Sequence, residues 1–593
     1  MSASVNNSGG VFLQKTETRW IQLGASLGGL AALISLGLFL ILSGSDPNSV
    51  VPGFLMYFAL ALLAGAGYGW LLRTGIRQLK TYESIVLGVV YGVASWLFFG
   101  LVIVPVLSGM GPQWNAADAA VQFPLLMIYL LQGVILALAL HGMQALGWLR
   151  AVESPHAIDE LETHIQQRVV ILGGGFAGVT TAQELEKRLG NHSHVQITLV
   201  SQTNHLLFTP MLAEVTAGGV EAQHISPPLR AFFRHVRVIR GEPTKINAAE
   251  NTIAVQLSSG SNMTLAYDHL VLALGTVPNF FGNANFARYA FTFKSLADAI
   301  HIRNHVIDCL ERADSEMNPE RRRARLTFVV VGAGFAGSEL IGGLNDFVRG
   351  SLWYYKHLRN EEVTFLLVHP GERILPELST ELALYAEDKM TARGVAIRGN
   401  VRVTDAGLGS VTIGDETISA ETLIWTAGNL PNPILKNIGC ETDTRGAIIA
   451  DEKLLVKGQH NLWAVGDCAV IPDVVTGKSV PPTAQYALRE AKTLAHNLHA
   501  VLNQGEPIVF RHRSQGALAV VGHQTACAEV FGFKFSGLFA WLMWRGIYLS
   551  KLPTLEKKVR VLLDWVIDVF FPRDITYAPL DDETVDPIPA TGD

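Results

Sequence analysis

The sequence predicts an α/β fold on three observations. Residues 169–178 read VVILGGGFAG, residues 328–337 repeat the pattern as FVVVGAGFAG, and four long apolar runs precede both. The predicted architecture has two Rossmann-like dinucleotide-binding domains. A four-helix transmembrane bundle precedes them and C-terminal amphipathic membrane helices follow.

In the first glycine stretch an apolar strand ends in Gly173, Gly175 and Gly178, and the helical-looking VTTAQELEKRL follows. The first two glycines allow a sharp turn and a close approach of the backbone to a pyrophosphate. The third lets helix and strand pack tightly, and the helix amino end faces the phosphate charge. Gly332, Gly334 and Gly337 repeat this spacing and lead into SELIGGL. Two such turns imply two dinucleotides, one held and one exchanged.

Charged residues are only 17% of the 593, and the mean hydropathy is positive, which fits membrane segments. The apolar runs 21–43, 51–72, 85–107 and 123–148 are each about long enough to span a bilayer and contain no Lys, Arg, Asp or Glu. Lys15 and Arg19 precede the first run; Arg73, Arg77 and Lys80 lie between the second and third; Arg150 follows the fourth. The other two loops carry Asp46 and Asp118 and no basic residue. By the positive-inside rule both ends of the bundle are cytoplasmic, so the nucleotide-binding domains belong on the cytoplasmic side of a cell membrane. His141, inside the fourth run, has no second histidine or carboxylate there and reads as a satisfied or interfacial side chain. A net charge of −6 gives no sign of nucleic acid, and four scattered cysteines fit a reducing compartment.

The expected organisation is a tail (1–20), the bundle (21–148), a polar linker (149–166) and a first nucleotide-binding part (167–325). The second nucleotide-binding domain (326–430) follows, then the remainder of the first (431–505), a membrane-associating region (506–578) and an acidic tail (579–593). In the first part the strand VQITLV is followed by Ser201, where a ribose-binding acid is customary; a serine bonds a hydroxyl more weakly. Thr209 and Pro210 in NHLLFTPMLAEVTAG, and Gly275 in YDHLVLALGTVPN, are candidate cofactor contacts. In the second domain VTFLLV is followed by His369. A neutral imidazole accepts a ribose hydroxyl proton, while an imidazolium tolerates a 2′-phosphate, so NADH is favoured with NADPH left open. Glu339 lies in the first turn of the second glycine-loop helix and can either complement the helix dipole or reach the nucleotide. Gly428 in IWTAGNLPNP, Gly466 and Asp467 in AVGDCA, and Ala484 and Gln485 in PPTAQ complete the candidates. The asparate suits ribityl hydroxyls, and residues 481–498 read as a helix whose prolines open its first turn. In residues 531–575, Trp541, Trp544 and Trp565 sit among aliphatics with interleaved Lys and Arg. These predict interfacial helices, basic on one side and aromatic-aliphatic on the other.

The ordered set VVILGGGFAG, LLFTPMLAEVTAG, YDHLVLALGTVPN, VVVGAGFAGSE, ERILP, IWTAG, AVGDCA, PPTAQ and GLFAWLMWRGIYL resembles the type II NADH dehydrogenases, non-proton-pumping NADH:quinone oxidoreductases, over about residues 167–575. The resemblance implies FAD on the first domain and NADH on the second, with Glu339 near the nicotinamide–flavin contact. It also implies that Gln485, the first glutamine of an AQxAxQ element whose second is Arg489 here, lies beside the isoalloxazine and a quinone tunnel. A membrane quinone and the bilayer are the implied partners, and a homodimer is common among such proteins. The N-terminal bundle lies outside the resemblance. Two alternatives stay in view: a sulfide:quinone-type enzyme, which needs two cysteines at the flavin where only Cys468 is near, and a slow-turnover membrane flavin redox sensor.

Overall fold

The computed structural model describes residue 22, residues 24–34, a few positions between 58 and 66, residues 81–107, 123–145 and, with gaps at 190–193, 475–476 and 513, residues 165–578. The chain divides into two compact units, Met1–His156 and Ala157–Asp593.

In the first unit the helix Thr81–Ser95 continues through the π-helical Trp96–Ile103 into Val104–Leu107, and a second helix covers Phe123–Ala145. They pack where side chains are missing: a Cβ on Gly133 would stand 2.1 Å from the carbonyl oxygen of Gly88, and one on Gly92 would stand 2.6 Å from that of Tyr129. Small residues at a crossing let two apolar helices approach through their backbones. His141 is hydrogen-bonded through Nε2 to the Thr81 hydroxyl at 3.2 Å, while its buried Nδ1 meets no partner among the described residues. Among the described residues one helix, Thr81–Ile103, is long and apolar enough to cross a membrane, and Gly24–Ile34 and Leu126–Gly142 are shorter apolar helices. The predicted runs 21–43 and 51–72, the linker and the acidic tail fall largely outside the described residues.

The second unit carries the two predicted sheets. Gln167–Leu172 pairs in parallel with Val195–Ser201 on one side and His269–Leu272 on the other. Leu462–Ala464 and Arg237–Asn247 extend that parallel core, and Thr252–Leu257 and Asn262–Ala266 add antiparallel strands. The second sheet is wholly parallel, with Thr327–Val331 between Thr364–Val368 and Thr422–Trp425, and Val395–Arg398 and Phe291–Thr292 at its edges. Every residue of TFVVV in its central strand is buried, the pattern of a strand covered on both faces. Phe328 and Phe365 stack across neighbouring strands at 4.9 Å. Two short strands, Thr276–Pro278 and Asn429–Pro431, pair antiparallel where the chain passes from one half to the other and back.

The meander Gly516–Gly522, Thr525–Val530, Phe533–Ser536 joins the core of the second half through Ala519, Val521 and Cys527. Its approach to the helix Phe335–Ser351 is close: a Cβ on Gly342 would stand 2.7 Å from the Val521 carbonyl. Helices Gly537–Lys551 and Leu555–Phe570 follow. Their faces differ from the expectation. Trp541, Trp544 and Trp565 point inward, and Arg545 lies between Trp541 and Trp565, 3.8 and 4.7 Å from the ring centres. Lys557 is also turned in, donating to the Gln223 carbonyl at 2.8 Å. The outward face is apolar, with Leu538, Phe539, Leu542, Leu563, Ile567 and Phe570 exposed. Arg545 and Lys557 are therefore turned inward with the tryptophans, Arg545 held by cation–π contact, while Lys551 and Arg560 stay exposed.

The third glycines make the tightest contacts in both halves. A Cβ on Gly337 would lie 1.8 Å from the Gly332 carbonyl oxygen, against backbone that cannot yield. Gly337→Ala is expected to lower the melting temperature of the purified protein by several degrees, a cost of about 1–3 kcal/mol. Gly350→Ala, at a helical position where a Cβ meets nothing within 4 Å, is the matched substitution that should not lower it.

Candidate active site

The first glycine loop is built as its sequence requires. Gly173 has φ +118, and a Cβ there would stand 2.1 Å from the Ala273 carbonyl; a Cβ on Gly178 would stand 1.9 Å from the Gly173 carbonyl. At Gly175 the corresponding space is open, because that face looks into a cavity of about 420 Å³. The cavity is lined by the amino end of helix Phe176–Leu189 and by Thr209, Gly275, Gly428, Gly466, Asp467 and Ala484. Ser201 is buried, and its hydroxyl faces the loop, 2.2 Å from where a Cβ on Gly174 would be. At the far end burial raises the Asp467 carboxyl, and the Lys294 ammonium pulls it back. Lys294 is anchored at Thr276 and, at 3.2 Å, at Asn429. Below it Glu490 accepts the Gly466 N–H at 2.7 Å, and its burial pushes it up to about 7. An open glycine face at a helix amino end, small turn residues and a buried acid fit the pyrophosphate and ribityl chain of a flavin dinucleotide.

In the second loop Gly332 has φ +104, and Gly334 opens outward with the Glu377 carboxylate as its only neighbour, at 3.7 Å. Leu375, in the left-handed region at φ +47, donates its N–H to the Ala333 carbonyl at 2.7 Å, so the ERILP segment clamps the loop from outside. His369 directly follows the strand Thr364–Val368, and its buried ring lies against Gly371 and Gly399. Burial lowers its pKa, which disfavours the imidazolium form.

A second cavity of about 700 Å³ shares Phe176, Thr209, Phe293, Ala336 and Ala484 with the first, so the two are contiguous. Pro210, Glu339, Gln485, Tyr548 and Lys551 line it. Glu339 is partly buried and accepts the Val520 N–H at 3.2 Å; desolvation nonetheless pushes its carboxyl up to about 8. The buried Tyr548 phenol is raised by desolvation and then by Glu339. Gln485 accepts from the Gln515 N–H at 3.1 Å and donates to the Gly516 carbonyl at 3.4 Å, which fixes its amide to the start of the C-terminal meander. The helix begins at Ala484 with Thr483 as its N-cap, so Pro481 and Pro482 precede it rather than open its first turn. All four cysteines are free; Cys468 is buried, its thiol pushed up to about 12 and directed at the Leu272 carbonyl.

Sequence reasoning missed Lys294, Glu490, Tyr548 and Glu214. Glu214 left a signal, a lone acid in the apolar run LLFTPMLAEVTAG, and Glu490 lies a little over one turn from Gln485 on the same helix. Lys294 left none, because only the fold brings it to Asp467.

The sequence matches the pyridine nucleotide-disulphide oxidoreductase family over residues 167–491 and the NDH2 C-terminal domain over residues 514–574. It is 31% identical over 418 residues to the type II NADH:quinone oxidoreductase Ndh of Mycobacterium tuberculosis, an alignment covering 68% of this chain and 88% of that one. It is 28% identical to the demethylphylloquinone reductase NdbB of Synechocystis, covering 68% and 96%. The structure of NDH2 from Plasmodium falciparum in complex with NADH superposes with a TM-score of 0.65 at 20% identity, covering 69% of this chain and all of that one. The chain belongs to the type II NADH:quinone oxidoreductase family.

Because Glu339 is raised from 4.5 to about 8, it contributes stability that is present at acid pH and is lost as pH rises through about 8. Glu339→Gln is therefore expected to match the wild-type melting temperature near pH 5 and exceed it near pH 9, in thermal scans at both values.

Proposed function

We infer that this protein is a membrane-bound flavoprotein that oxidises NADH and reduces a membrane quinone without pumping protons. The observation that carries the reading is the pair of contiguous cavities, one suited to a dinucleotide and the other lined by Glu339, Gln485 and Tyr548. Bound FAD supplies the chemistry, accepting a hydride and giving up two electrons. The chain's own residues hold and screen it. Gly173, Gly175 and Gly178 receive its pyrophosphate, Ser201 and Asp467 its hydroxyls, and Lys294 offsets the negative charge beside Asp467. The amino end of helix Ala484–Leu502 directs its positive end at the shared wall of the cavities, favouring negative charge there. Gly332, Gly334 and Gly337 receive the exchanged nucleotide. Burial disfavours a cation on His369 that could meet a 2′-phosphate, which supports NADH over NADPH.

In this reading the exposed apolar face of helices Gly537–Lys551 and Leu555–Phe570 seats the enzyme on a bilayer, from which a hydrophobic quinone enters the larger cavity. The N-terminal unit spans the membrane as a second attachment, with the catalytic unit on the cytoplasmic side. A sulfide-oxidising role fits less well, since Cys468 is inert by burial and has no partner cysteine.

Anaerobic stopped-flow mixing tests the reaction. NADH is expected to bleach the flavin at least tenfold faster than NADPH, and a short-chain quinone to restore the absorbance. A flavin that neither nucleotide reduces sinks the dehydrogenase reading. For the membrane seat, Leu542→Asp with Leu563→Asp is expected to reduce co-flotation of a form lacking residues 1–156 with lipid vesicles, leaving NADH-dependent bleaching intact; undiminished flotation would refute that seat.

A further inference from the structure

The overall reaction consumes NADH, quinone and one proton and yields NAD⁺ and quinol. The hydride carries two electrons and one proton, so a second proton must come from water to the wall of a buried cavity. Glu339 stands in a wall common to two cavities. On one side is the 700 Å³ cavity, and on the other is a small one of about 40 Å³ with largely apolar walls, into which Glu214, Asp346, His523, Arg545 and Arg573 also reach. Since about 10–15 Å³ of such space accommodates a water with polar partners, the small cavity can hold ordered water. Its outer end meets solvent: His523 is exposed, its N–H donates to Asp346, and the Asp346 side chain is 21% exposed.

We propose that Glu214 is the proton-relay partner of Glu339, drawing protons from solvent through the small cavity and handing them to the wall where quinone is reduced; this rests on the quinone reading above. The charges around the pair argue for it. Glu214 is partly buried and accepts the Trp565 indole N–H at 2.7 Å. Arg545 and Arg573 face it, and Asp568 binds the same two guanidiniums, at 3.9 and 2.9 Å. Two cations therefore stand against two carboxylates, Glu214 and Asp568, and Glu339 is a third carboxyl without a cation of its own. Glu214 raises Glu339 further by its charge, and burial raises both. Three carboxyls thus face two guanidiniums, and Glu339 is the one that no cation offsets. In the step, the O–H bond of the Glu339 carboxyl breaks as an O–H bond forms on a quinone oxygen. The Glu339 carboxylate then takes a proton from Glu214 across the small cavity, and Glu214 is reprotonated from water past His523 and Asp346. Glu214 acts through Glu339 and does not touch the substrate.

Two readouts on the flavin-loaded protein test the relay. Infrared difference spectra between about pH 6 and about pH 10 should show carboxylic C=O bands that shift in D₂O. In Glu214→Gln one band should vanish and the other should move. In stopped flow, reoxidation of the NADH-reduced enzyme by a short-chain quinone should be about tenfold slower in Glu214→Gln and largely restored in Glu214→Asp, with its pH dependence displaced. Reduction by NADH, which takes no proton from solvent, is the internal control. Unchanged bands and unchanged reoxidation in Glu214→Gln would overturn the proposal. If that variant does not fold, wild-type carboxylic bands that neither exchange in D₂O nor titrate overturn it equally. A wild-type flavin that quinone fails to reoxidise counts against the quinone reading instead, and the bands still decide whether the pair shares a proton.

Discussion

Two carbonyl oxygens, those of Gly173 and Gly332, set the geometry on which the rest of the catalytic unit depends. Each lies less than 2 Å from where a third-glycine Cβ would be, so helix and loop meet backbone to backbone. That contact brings each glycine-loop helix close to the end of its sheet, and only then do its first N–H groups line a cavity instead of a protein interior. The burial of Thr327–Val331 and of Val169–Leu172 follows from the same constraint, since a sheet gripped this closely by helices has no face left for water.

With the loops fixed, the chemistry is arranged by what each wall leaves unpaired. At the flavin end an acid and a lysine are buried together, and a second acid below holds the Gly466 N–H. At the opposite wall the C-terminal helices bring tryptophans and arginines inward and surround two glutamates with them. One half of the site is thus made by the two sheets and the other by the C-terminal region. The meander Gly516–Ser536 connects them, through the Val520 N–H on Glu339 and the Gln515 N–H on Gln485.

The features legible in the sequence were those that depend on local backbone geometry. Both glycine turns, their strands and the small turn at Gly275 were readable because only glycine tolerates the φ values and approaches found there. Ser201 was readable for the same reason, as it lies one strand from its loop. His369 holds the equivalent position in the second domain, and its packing was not legible, because Gly399 reaches its ring from the end of the neighbouring strand. The C-terminal faces were misread for another reason. Basic residues near tryptophans read as a headgroup-facing stripe, but Arg545 meets Asp568 on the following helix and Glu214 from a distant part of the chain. Lys294 and Glu214 show the same limit: each gains its meaning from a partner more than a hundred residues away.

The paired connections Thr276–Pro278 and Asn429–Pro431 have a mechanical consequence. A single linker would let one nucleotide-binding half swivel freely on the other. Two antiparallel strands hydrogen-bonded side by side behave like the leaves of a door hinge, yielding to bending about one axis and resisting torsion. Motion between the halves is thereby confined to opening and closing along a fixed line. A nucleotide that leaves and its replacement meet the flavin wall in the same orientation, turnover after turnover.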